Sequence, residues 1–545
     1  MKKFPGILVA ILLCGHLAVA QRGIPESPPK LVVGIVVDQM RNEFLLRYWN
    51  RFSGGGFRRL AGEGFYFRNT HFNYIPTYTG PGHASVYTGS TPRHHGIVGN
   101  DWYERTQEKM VYCAADQQMM PVGTGSDAGR MSPHRLMAST VTDELKLATM
   151  KKGKVFAFAL KDRGAVLPGG HMADGAFWLD EEQGRFVTSS FYTKQLPGWL
   201  EQFNNSKPVQ AYLSSPWVTL YALDTYTVSL PDNNEYESLA LKSDRPVFPY
   251  DLPGFLKNNK LKTIRATPFG NSLTLDAALH CLTGEKLGKD EFTDFLSVSF
   301  SSTDIIGHAY GPRAIEVEDT YLRLDLEIER LLKTLDREVG KDNYVIFLTA
   351  DHGVGEVPRH LSDEHIPAGY IYEKEVAKLV KEFCQKFYND SSIVTAVINE
   401  QIYLDTDRMG AMRLDLGKTE EEICRMLGTV PGVAAAYGSS HLKLQGPGRD
   451  LLQLLQNGYH GKRSGQIAYL CAPGFMDYSK RGSSHGSGYT YDTHVPLIFF
   501  GKGIPKGEDF SYVTVTQIAP TISELLRIGR PGACFSDPLN DRFRR

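Results

Sequence analysis

Three long apolar runs along the chain lead into an aspartate. LVVGIVV precedes Asp38, FLSVSF and a short Ser-Ser-Thr segment precede Asp304, and YVIFLTA precedes Asp351. Runs of this length that are rich in Val, Ile, Leu and Phe are typical of strands buried on both faces of a parallel sheet. Because such runs alternate with helix-like segments, the pattern predicts an α/β fold with a mostly parallel central sheet flanked by helices.

The clearest helical pattern runs from about Val317 to Val339. Apolar residues there recur at alternating spacings of four and three, charged residues occupy the opposite face, and Gly340 follows as a stop signal. The run Tyr344–Thr349 then completes a predicted strand–helix–strand unit. Near the end of the chain, VPLIFFGKGI predicts another buried strand and VTQIAPTISELLRI a closing helix.

Two regions interrupt this alternation. Residues of about 165–265 are rich in Gly, Pro, Asn, Tyr and Trp, which indicates an insertion over the edge of the sheet rather than sheet core. Residues of about 395–475 combine a strand-like IYLDTD, a helical KTEEEICRML and a Gly-rich stretch. The second region therefore predicts another inserted subdomain.

Residues 1–20 have the composition of a cleaved secretory signal. Lys2 and Lys3 precede an apolar stretch that is too short to span a bilayer, and Ala18-Val19-Ala20 has the small residues of a cleavage site. We therefore predict a mature chain of residues 21–545 that is periplasmic or secreted and has no transmembrane anchor. Removal of the segment changes the net charge from −1 to −3, which offers no electrostatic basis for nucleic acid as a specific partner.

The mature chain keeps an even number of cysteines, which permits disulfides in an exported protein but does not define their pairing. None has the Cys-x-x-Cys spacing of a thiolate zinc site. The six are Cys113, Cys281, Cys384, Cys424, Cys471 and Cys534.

The three strand-end aspartates predict a metal site. Ligands in open α/β sheets bind beyond the carboxyl ends of the strands, where three carboxylates would repel each other without a cation. Asp304 and His308 share one face if their segment is helical, and His352 directly follows Asp351. Neutral imidazole and ionised carboxylate suit zinc, although manganese and iron accept the same ligands.

A threonine supplies a candidate nucleophile. Thr79 precedes Gly-Pro-Gly and an apparent helix from Ala84 onward, so it is expected near a helix N-terminus, where N–H groups and the helix dipole favour an anion. A hydroxyl that also contacts a dication loses its proton more readily. A plain turn or N-cap threonine is the alternative interpretation.

Three further residues are candidates for binding phosphoryl oxygens. Asn100 lies in HGIVGND, while Lys161 and Arg163 follow the strand-like KVFAFAL and are expected at the same sheet edge. His485 lies in a Gly-rich loop and His494 just before the last strand. Spacing alone leaves open which of these two histidines binds a metal.

Read in order, the motifs resemble the alkaline phosphatase superfamily, most closely its secreted alkaline phosphatases of the PafA type, which have a threonine nucleophile. The resemblance covers nearly the whole mature chain. The segments that carry it are IVVDQM, PTYTGPGHASVYTG, HGIVGND, LKDRGA, SSTDIIGHAYGP, TADHG, HGSGYTYDTHVPLIFFG and QIAPTISELL.

The resemblance implies two zinc ions per chain and a phospho-threonine intermediate formed on Thr79 by in-line displacement. It assigns Asn100, Lys161 and Arg163 to the phosphoryl oxygens and gives His494 a supporting role. The implied ligands are Asp304, His308 and His485 for the first zinc, and Asp38, Asp351, His352 and the Thr79 oxygen for the second.

The activity implied by the resemblance is hydrolysis of small phosphate monoesters, with a monomer favoured. A nucleotide pyrophosphatase or phosphodiesterase of the same superfamily is the nearest alternative. Lys161 and Arg163 favour the dianionic monoester if both face the site. A secreted binding protein with structural metals is a remote alternative, because a structural zinc normally has four protein ligands and one proposed site has three.

Overall fold

The computed structural model describes residues 27–241, 244–444, 446 and 448–544, and the predicted signal segment lies outside them. An eleven-stranded sheet with helices packed around it forms the centre of the molecule. The predicted α/β class is therefore confirmed. Within the described ranges, no helix combines the length and the apolar content required to cross a membrane.

The strands are short and most belong to the central sheet. In chain order, β1 to β19 are Leu31–Val37, Phe65–His71, Asp101–Glu104, Lys109–Tyr112, Pro121–Val122, Val155–Ala159, Gly175–Asp180, Arg185–Ser189, Asp294–Phe300, Tyr344–Thr349, Gly369–Tyr370, Val394–Ile398, Gln401–Leu404, Val433–Gly438, Ile467–Cys471, Phe475–Met476, His494–Gly501, Gly507–Asp509 and Val513–Thr514.

The α-helices range from single turns to one of 24 residues. In chain order, α1 to α20 are Asn42–Arg47, Phe57–Glu63, Thr79–Thr88, Pro92–His95, Val141–Ala148, Asp162–Gly169, Gly198–Asn205, Pro208–Leu213, Leu252–Lys257, Phe269–Gly284, Ser302–Tyr310, Ile315–Glu338, Pro358–Asp363, Glu373–Tyr388, Thr406–Ala411, Leu416–Leu427, Ser439–Leu442, Leu451–Gly458, Thr490–Thr493 and Ile518–Leu526.

The order of strands in the central sheet is β18-β2-β17-β10-β1-β9-β6-β7-β8-β5, and β19 also pairs with β2. The five strands β10, β1, β9, β6 and β7 are mutually parallel. Every residue of β1 is buried, as expected for a parallel strand covered on both faces. Val36 is level with Thr349 on one side and with Ser299 on the other. The aspartates that follow these strands therefore emerge at one edge.

The elements predicted from hydrophobic spacing are confirmed. The helix predicted from Val317 to Val339 is α12, and its regularly spaced apolar residues are buried against the core. The run predicted as the next strand is β10, the late apolar run is β17, and the closing helix is α20. These elements form because each presents a continuous run or face of apolar residues that neighbouring strands and helices bury.

The prediction for residues of about 165–265 is wrong in part. Its first portion contributes β7 and β8 to the central sheet, because both GAFWLD and RFVTS bury nearly all of their residues beside β6. The remainder contains short helices and irregular segments. The outer limits of this insertion stay a prediction.

Residues of about 395–475 contain a separate antiparallel sheet with the order β12-β13-β15-β14. Helix α16, predicted from KTEEEICRML, packs on this sheet, and α14 contributes Val376, Val380 and Cys384 to the same core. Because α14 precedes the predicted boundary, the core extends beyond the predicted segment. The domain division itself stays a prediction.

The six cysteines of the predicted mature chain are free in this structure. Three of them, Cys113, Cys281 and Cys384, are buried. The structure therefore contains none of the disulfides that an even number of cysteines permits.

Candidate active site

The three strand-end aspartates converge at one edge of the sheet. Asp38, Asp304 and Asp351 are at most 4% exposed. The Lys161 ammonium lies between two of them, with Nζ 2.6 Å from Asp38 Oδ2 and 2.5 Å from Asp304 Oδ2. Gln39 links Asp304 and Asp351. Its Nε2 donates to Asp304 Oδ1 at 2.8 Å, and its backbone N–H donates to Asp351 Oδ1 at 3.1 Å.

The pKa shifts of these carboxylates are those expected where several carboxylates lie close together and compete for a cation. Burial, followed by the proximity of Asp304, raises the pKa of Asp38, and burial together with Asp38 raises the pKa of Asp351 well above its usual value. Burial also opposes ionisation of Asp304, but His308 and Lys161 outweigh it and hold the pKa of Asp304 well below the usual value. One ammonium thus offsets only part of the charge of three ionised carboxylates.

Three histidines point their Nε2 atoms toward these carboxylates. His308 and His485 place Nε2 at 3.2 and 3.5 Å from Asp304 Oδ1, while His352 Nε2 lies 3.5 Å from Asp38 Oδ1. In each ring Nδ1 hydrogen-bonds a backbone carbonyl, which fixes the tautomer that leaves Nε2 free as a metal ligand. The three bonds are His308 to Ser483 O (2.7 Å), His352 to Gly353 O (2.9 Å) and His485 to Thr77 O (2.8 Å).

Two groups of donors have the spacing of metal ligands. Ligand atoms of Asp38, Asp351 and His352 lie within 4.8 Å of one another, as do those of Asp304, His352 and His485. The rings of His352 and His485 stack with centroids 3.4 Å apart, so the two groups adjoin. Burial, followed by His485, lowers the pKa of His352 well below its usual value and keeps it neutral, as metal ligation requires.

The donor atoms fit the predicted dications. Asp38 Oδ1 and Asp351 Oδ2 are buried without a hydrogen-bond partner, which is costly unless a cation binds them. Nitrogen and oxygen donors in this mixture suit zinc. The assignment of ligands to the two zinc sites differs from the structure in one respect. The donors close to Asp304 include His352 as well as His485. His308 also contacts Asp304, from the next turn of the same helix.

Thr79 is the first residue of α3 and lies beside these donors. It is 1% exposed, and its Oγ1 is 3.4 Å from His352 Nε2. The preceding residue, Tyr78, is extended and makes no side-chain cap bond. The predicted position of Thr79 at a helix N-terminus is confirmed, while its role as nucleophile stays a prediction.

Of the three proposed phosphoryl-binding residues, Asn100 contacts the residue after Thr79. Asn100 Oδ1 accepts from the Gly80 N–H at 2.8 Å, which orients its amide nitrogen away from the helix. Arg163 Nη1 donates to Tyr112 Oη at 3.0 Å, and the buried Arg163 Nε has no hydrogen-bond partner. Lys161, by contrast, is engaged by the aspartates. The role of these three residues in binding substrate stays a prediction.

Two residues that support the site, Gln39 and His83, were not predicted from the sequence. Gln39 bridges two of the aspartates from a left-handed backbone with φ of 66°. His83 lies one turn after Thr79, and its Nδ1 is 2.9 Å from Thr79 O and 3.4 Å from Asp351 Oδ2. The only sequence signals were their positions, one directly after Asp38 and the other on the Thr79 face of α3.

His494 lies outside both groups of donors. Its Nε2 is 2.8 Å from Arg68 O, and its ring stacks on His71 with centroids 4.6 Å apart. Asp492, two residues earlier, instead accepts the N–H groups of Gly486 and Ser487. This segment therefore supports the loop that carries His485.

Comparisons with known proteins agree with this geometry. The sequence profile of the type I phosphodiesterase / nucleotide pyrophosphatase family matches residues 32–494. Alkaline phosphatase PafA of Elizabethkingia meningoseptica is 40% identical over 536 residues, which cover 98% of each chain. Alkaline phosphatase PhoV of Synechococcus elongatus is 37% identical over 546 residues, again 98% of each chain.

Comparison with solved structures also relates the chain to PafA. The crystal structure of wild-type PafA matches with a TM-score of 0.91 at 41% identity, covering 94% of this chain and 99% of that chain. Murine ectonucleotide pyrophosphatase / phosphodiesterase 5 matches with a TM-score of 0.51 at 14% identity, covering 92% and 95% of the two chains, and shares the fold alone. The chain therefore belongs to the type I phosphodiesterase / nucleotide pyrophosphatase family and, within the alkaline phosphatase superfamily, to the PafA-type alkaline phosphatases.

Proposed function

We propose that this protein hydrolyses phosphate monoesters through a phospho-threonine intermediate on Thr79. The observation that carries the proposal is the position of the Thr79 hydroxyl, which starts a buried helix and lies 3.4 Å from His352 Nε2. His352 belongs to both groups of carboxylate and imidazole donors. Relatives that align along nearly the whole chain are named alkaline phosphatases.

Two zinc ions per chain are the proposed cofactors. Asp38, Asp351 and His352 with the Thr79 oxygen would hold one, and Asp304, His308 and His485 the other. When bound, such a pair lowers the pKa of the attacking hydroxyl and stabilises negative charge on both the attacking and the leaving oxygen.

The chain's own residues position the phosphoryl group. Thr79 Oγ1 loses its proton to solvent and forms a bond to phosphorus, while the bond from phosphorus to the alcohol oxygen breaks on the opposite side. The departing oxygen takes up a proton from solvent. Because Asn100 Oδ1 is held by the Gly80 N–H, its Nδ2 is available to donate to a phosphoryl oxygen. Arg163 supplies a guanidinium with an unused Nε–H, and Lys161 supplies a second positive charge. Attack of water on phospho-threonine then releases phosphate.

Monoesters are preferred over diesters for an electrostatic reason. A monoester dianion carries one more negative charge than a diester, and the Arg163 guanidinium can offset it. Lys161 contributes a smaller share, because its ammonium lies between Asp38 and Asp304. The diesterase alternative rests on the family profile that matches residues 32–494 and on a structure that shares the fold at 14% identity. The relatives that align along nearly the whole chain at 37–40% identity are instead named alkaline phosphatases. We therefore favour the monoesterase function.

We further propose that the protein is exported and acts as a monomer. The support for export is the signal-like segment at residues 1–20. Its substrates would then be small phosphate monoesters outside the cytoplasm.

The function is tested by comparing 4-nitrophenyl phosphate with its methyl diester. We expect the wild type to prefer the monoester and Thr79→Ala to lose on the order of 1,000-fold or more in kcat/KM, because the attacking atom is removed. Thr106→Ala is the control, since its hydroxyl lies in an exposed contact with Glu104 and should leave activity unchanged. A preference for the diester, or normal turnover by Thr79→Ala, would contradict the proposal.

The same pair of substrates tests the charge argument. Arg163→Ala should reduce kcat/KM for the monoester more than for the diester, because the guanidinium interacts with the additional charge. An equal loss on both substrates would show that Arg163 does not discriminate between them.

A further inference from the structure

A cavity of about 270 Å³ opens beside the proposed phosphoryl site. Asn100 and His485 form part of its wall on the side of the central sheet. The opposite wall comes from the antiparallel sheet β12-β13-β15-β14 and from the start of α14. The cavity thus lies where the alcohol portion of a phosphate ester would extend from the site.

The charge of the cavity is one-sided. Glu373, Glu400 and Asp477 line it together with tyrosines such as Tyr78 and Tyr469, and its described lining includes no lysine or arginine. A cavity for an anionic or purely apolar alcohol would not require three carboxylates. Acidic groups among aromatic rings instead provide the environment that binds an organic cation.

Each of the three carboxylates accepts a hydrogen bond from another residue of the cavity wall. Tyr78, the neighbour of Thr79, donates its hydroxyl to Glu400 Oε2 at 3.1 Å, and its ring contacts that of His485 with centroids 5.6 Å apart. The Glu400 N–H donates to Glu373 Oε1 at 3.1 Å. The Glu373 N–H donates in turn to an Asp477 oxygen at 3.0 Å.

Glu400 adopts an unfavourable backbone conformation to reach this position. Asn399 and Glu400 form the two-residue turn between β12 and β13, with φ of 53° and 56°. Such turns favour Asn-Gly, and a glutamate at the second position is strained. The turn is fixed against the phosphoryl-binding loop, since Asn399 Nδ2 donates to Asp101 O at 2.7 Å. The turn therefore holds the Glu400 side chain at the cavity in spite of this backbone strain.

We infer that this cavity is a leaving-group subsite for phosphate monoesters whose alcohol carries a positively charged ammonium group, an inference that rests on the monoesterase function proposed above. The phosphoryl group occupies the Thr79 site, and the ammonium lies among Glu373, Glu400 and Asp477. Tyr78 connects the two positions, because it is bonded to Thr79 in the chain and to Glu400 through its hydroxyl.

The electrostatic state of Glu400 agrees with this assignment. Burial, followed by Glu373, raises the pKa of Glu400 to about 8. A ligand ammonium would offset the repulsion between these carboxylates, and the described lining includes no lysine or arginine that does so. Tyrosine faces add a cation–π contribution that favours quaternary ammonium groups.

The test uses two phosphate esters of the same shape that differ only in charge. They are 2-(trimethylammonio)ethyl phosphate and its neutral carbon analogue, 3,3-dimethylbutyl phosphate. At about pH 9, where Glu400 is ionised, the wild type should favour the cationic ester by roughly tenfold or more in kcat/KM. A ratio near one would overturn the inference.

Substitutions of cavity residues test whether the cavity causes the preference for the cationic ester. Glu400→Gln and Glu373→Gln should lower the ratio of kcat/KM for the cationic ester to kcat/KM for the neutral ester several-fold. Glu400→Gly should lose the preference without losing thermal stability, because glycine adopts a φ of 56° without strain. Glu421→Gln is the control, since that carboxylate is 71% exposed on α16. Unchanged ratios in all three cavity variants would contradict the inference.

The outcome can be separated from that of the proposed function. If 4-nitrophenyl phosphate is cleaved but the ester pair shows no preference, only the subsite is wrong. If no monoester is cleaved, the monoesterase function is wrong, and calorimetric titration of the holoenzyme with choline alone then tests the subsite. Binding to the wild type that is weakened in Glu400→Gln would support it, and no binding to the wild type would overturn it.

Discussion

Gly82 illustrates how closely the nucleophile helix approaches the metal-binding edge of the sheet. A Cβ atom built at Gly82 would lie 2.2 Å from Asp351 O and 2.8 Å from Asp351 Cβ. Because most of this contact is with backbone, a rotamer change cannot relieve it. A glycine is therefore required for Thr79 and Asp351 to occupy the same site.

Gly82→Ala should consequently separate α3 from Asp351. We expect a loss of about 100-fold in kcat/KM from misplacement of Thr79, and a loss of about 1–3 kcal/mol in unfolding free energy from overpacking. Gly62→Ala in α2 is the matched control, because nothing lies within 4 Å of its added Cβ. Kinetics and thermal unfolding of both variants check this, and wild-type activity in Gly82→Ala would contradict it.

At the scale of single elements, the N-terminus of α12 buries a carboxyl group. Glu316 is fully buried, Tyr250 Oη donates to its Oε1 at 2.5 Å, and its Oε2 has no hydrogen-bond partner. Burial raises the pKa of Glu316 from 4.5 to about 8. The folded protein therefore retains a proton at Glu316 that the unfolded chain releases above its own pKa of 4.5.

This difference predicts how stability depends on pH. Since the pKa is raised in the folded state, the contribution of Glu316 is complete below pH 4.5 and declines as the pH rises toward about 8. Glu316→Gln stays neutral, so its melting temperature relative to wild type should increase across this range. The upper limit of the effect is about 1.4 kcal/mol per pH unit.

Scanning calorimetry at several pH values between these limits measures the difference. Glu364→Gln, a change of an exposed carboxylate after α13, should show no such trend. A difference between Glu316→Gln and wild type that is the same at every pH would show that Glu316 is ionised in the folded protein.

At the scale of the whole molecule, the metal site joins segments that are far apart in the chain. The donors come from the ends of β1 and β10, from α11 after β9, and from the loop before α19. Binding of metal to the folded state alone should therefore stabilise the entire arrangement. One buried oxygen of Asp38 and one of Asp351 have no hydrogen-bond partner, and a bound cation would satisfy both.

Chelation should accordingly abolish activity and lower the melting temperature together. Zinc added back should restore both, because the imidazole and carboxylate donors suit it. Atomic emission analysis of the restored protein should give two zinc ions per chain. Recovery with manganese alone would contradict the zinc assignment, and full activity in excess chelator would contradict the metal site.

Much of this architecture was predictable because burial of strands is a local property of the sequence. The apolar runs before Asp38, Asp304 and Asp351 required a buried sheet, and parallel strands end at a common edge, so the three carboxylates had to meet. Similar reasoning placed Thr79 at a helix start. The same reasoning failed at β7 and β8, because their surroundings in sequence are rich in turn-forming residues although the strands themselves are buried.

The fold class, the shared sheet edge and the residue types at the site thus follow from local patterns in the amino-acid sequence. Only the tertiary structure decided that Lys161 lies between two aspartates, that His485 rather than His494 faces them, and that a strained turn directs Glu400 toward a cavity beside Asn100. The difference arises from how far apart in the sequence the contacting residues are. Strand and helix periodicity is encoded by neighbouring residues, whereas the position of a loop depends on contacts with segments hundreds of residues away.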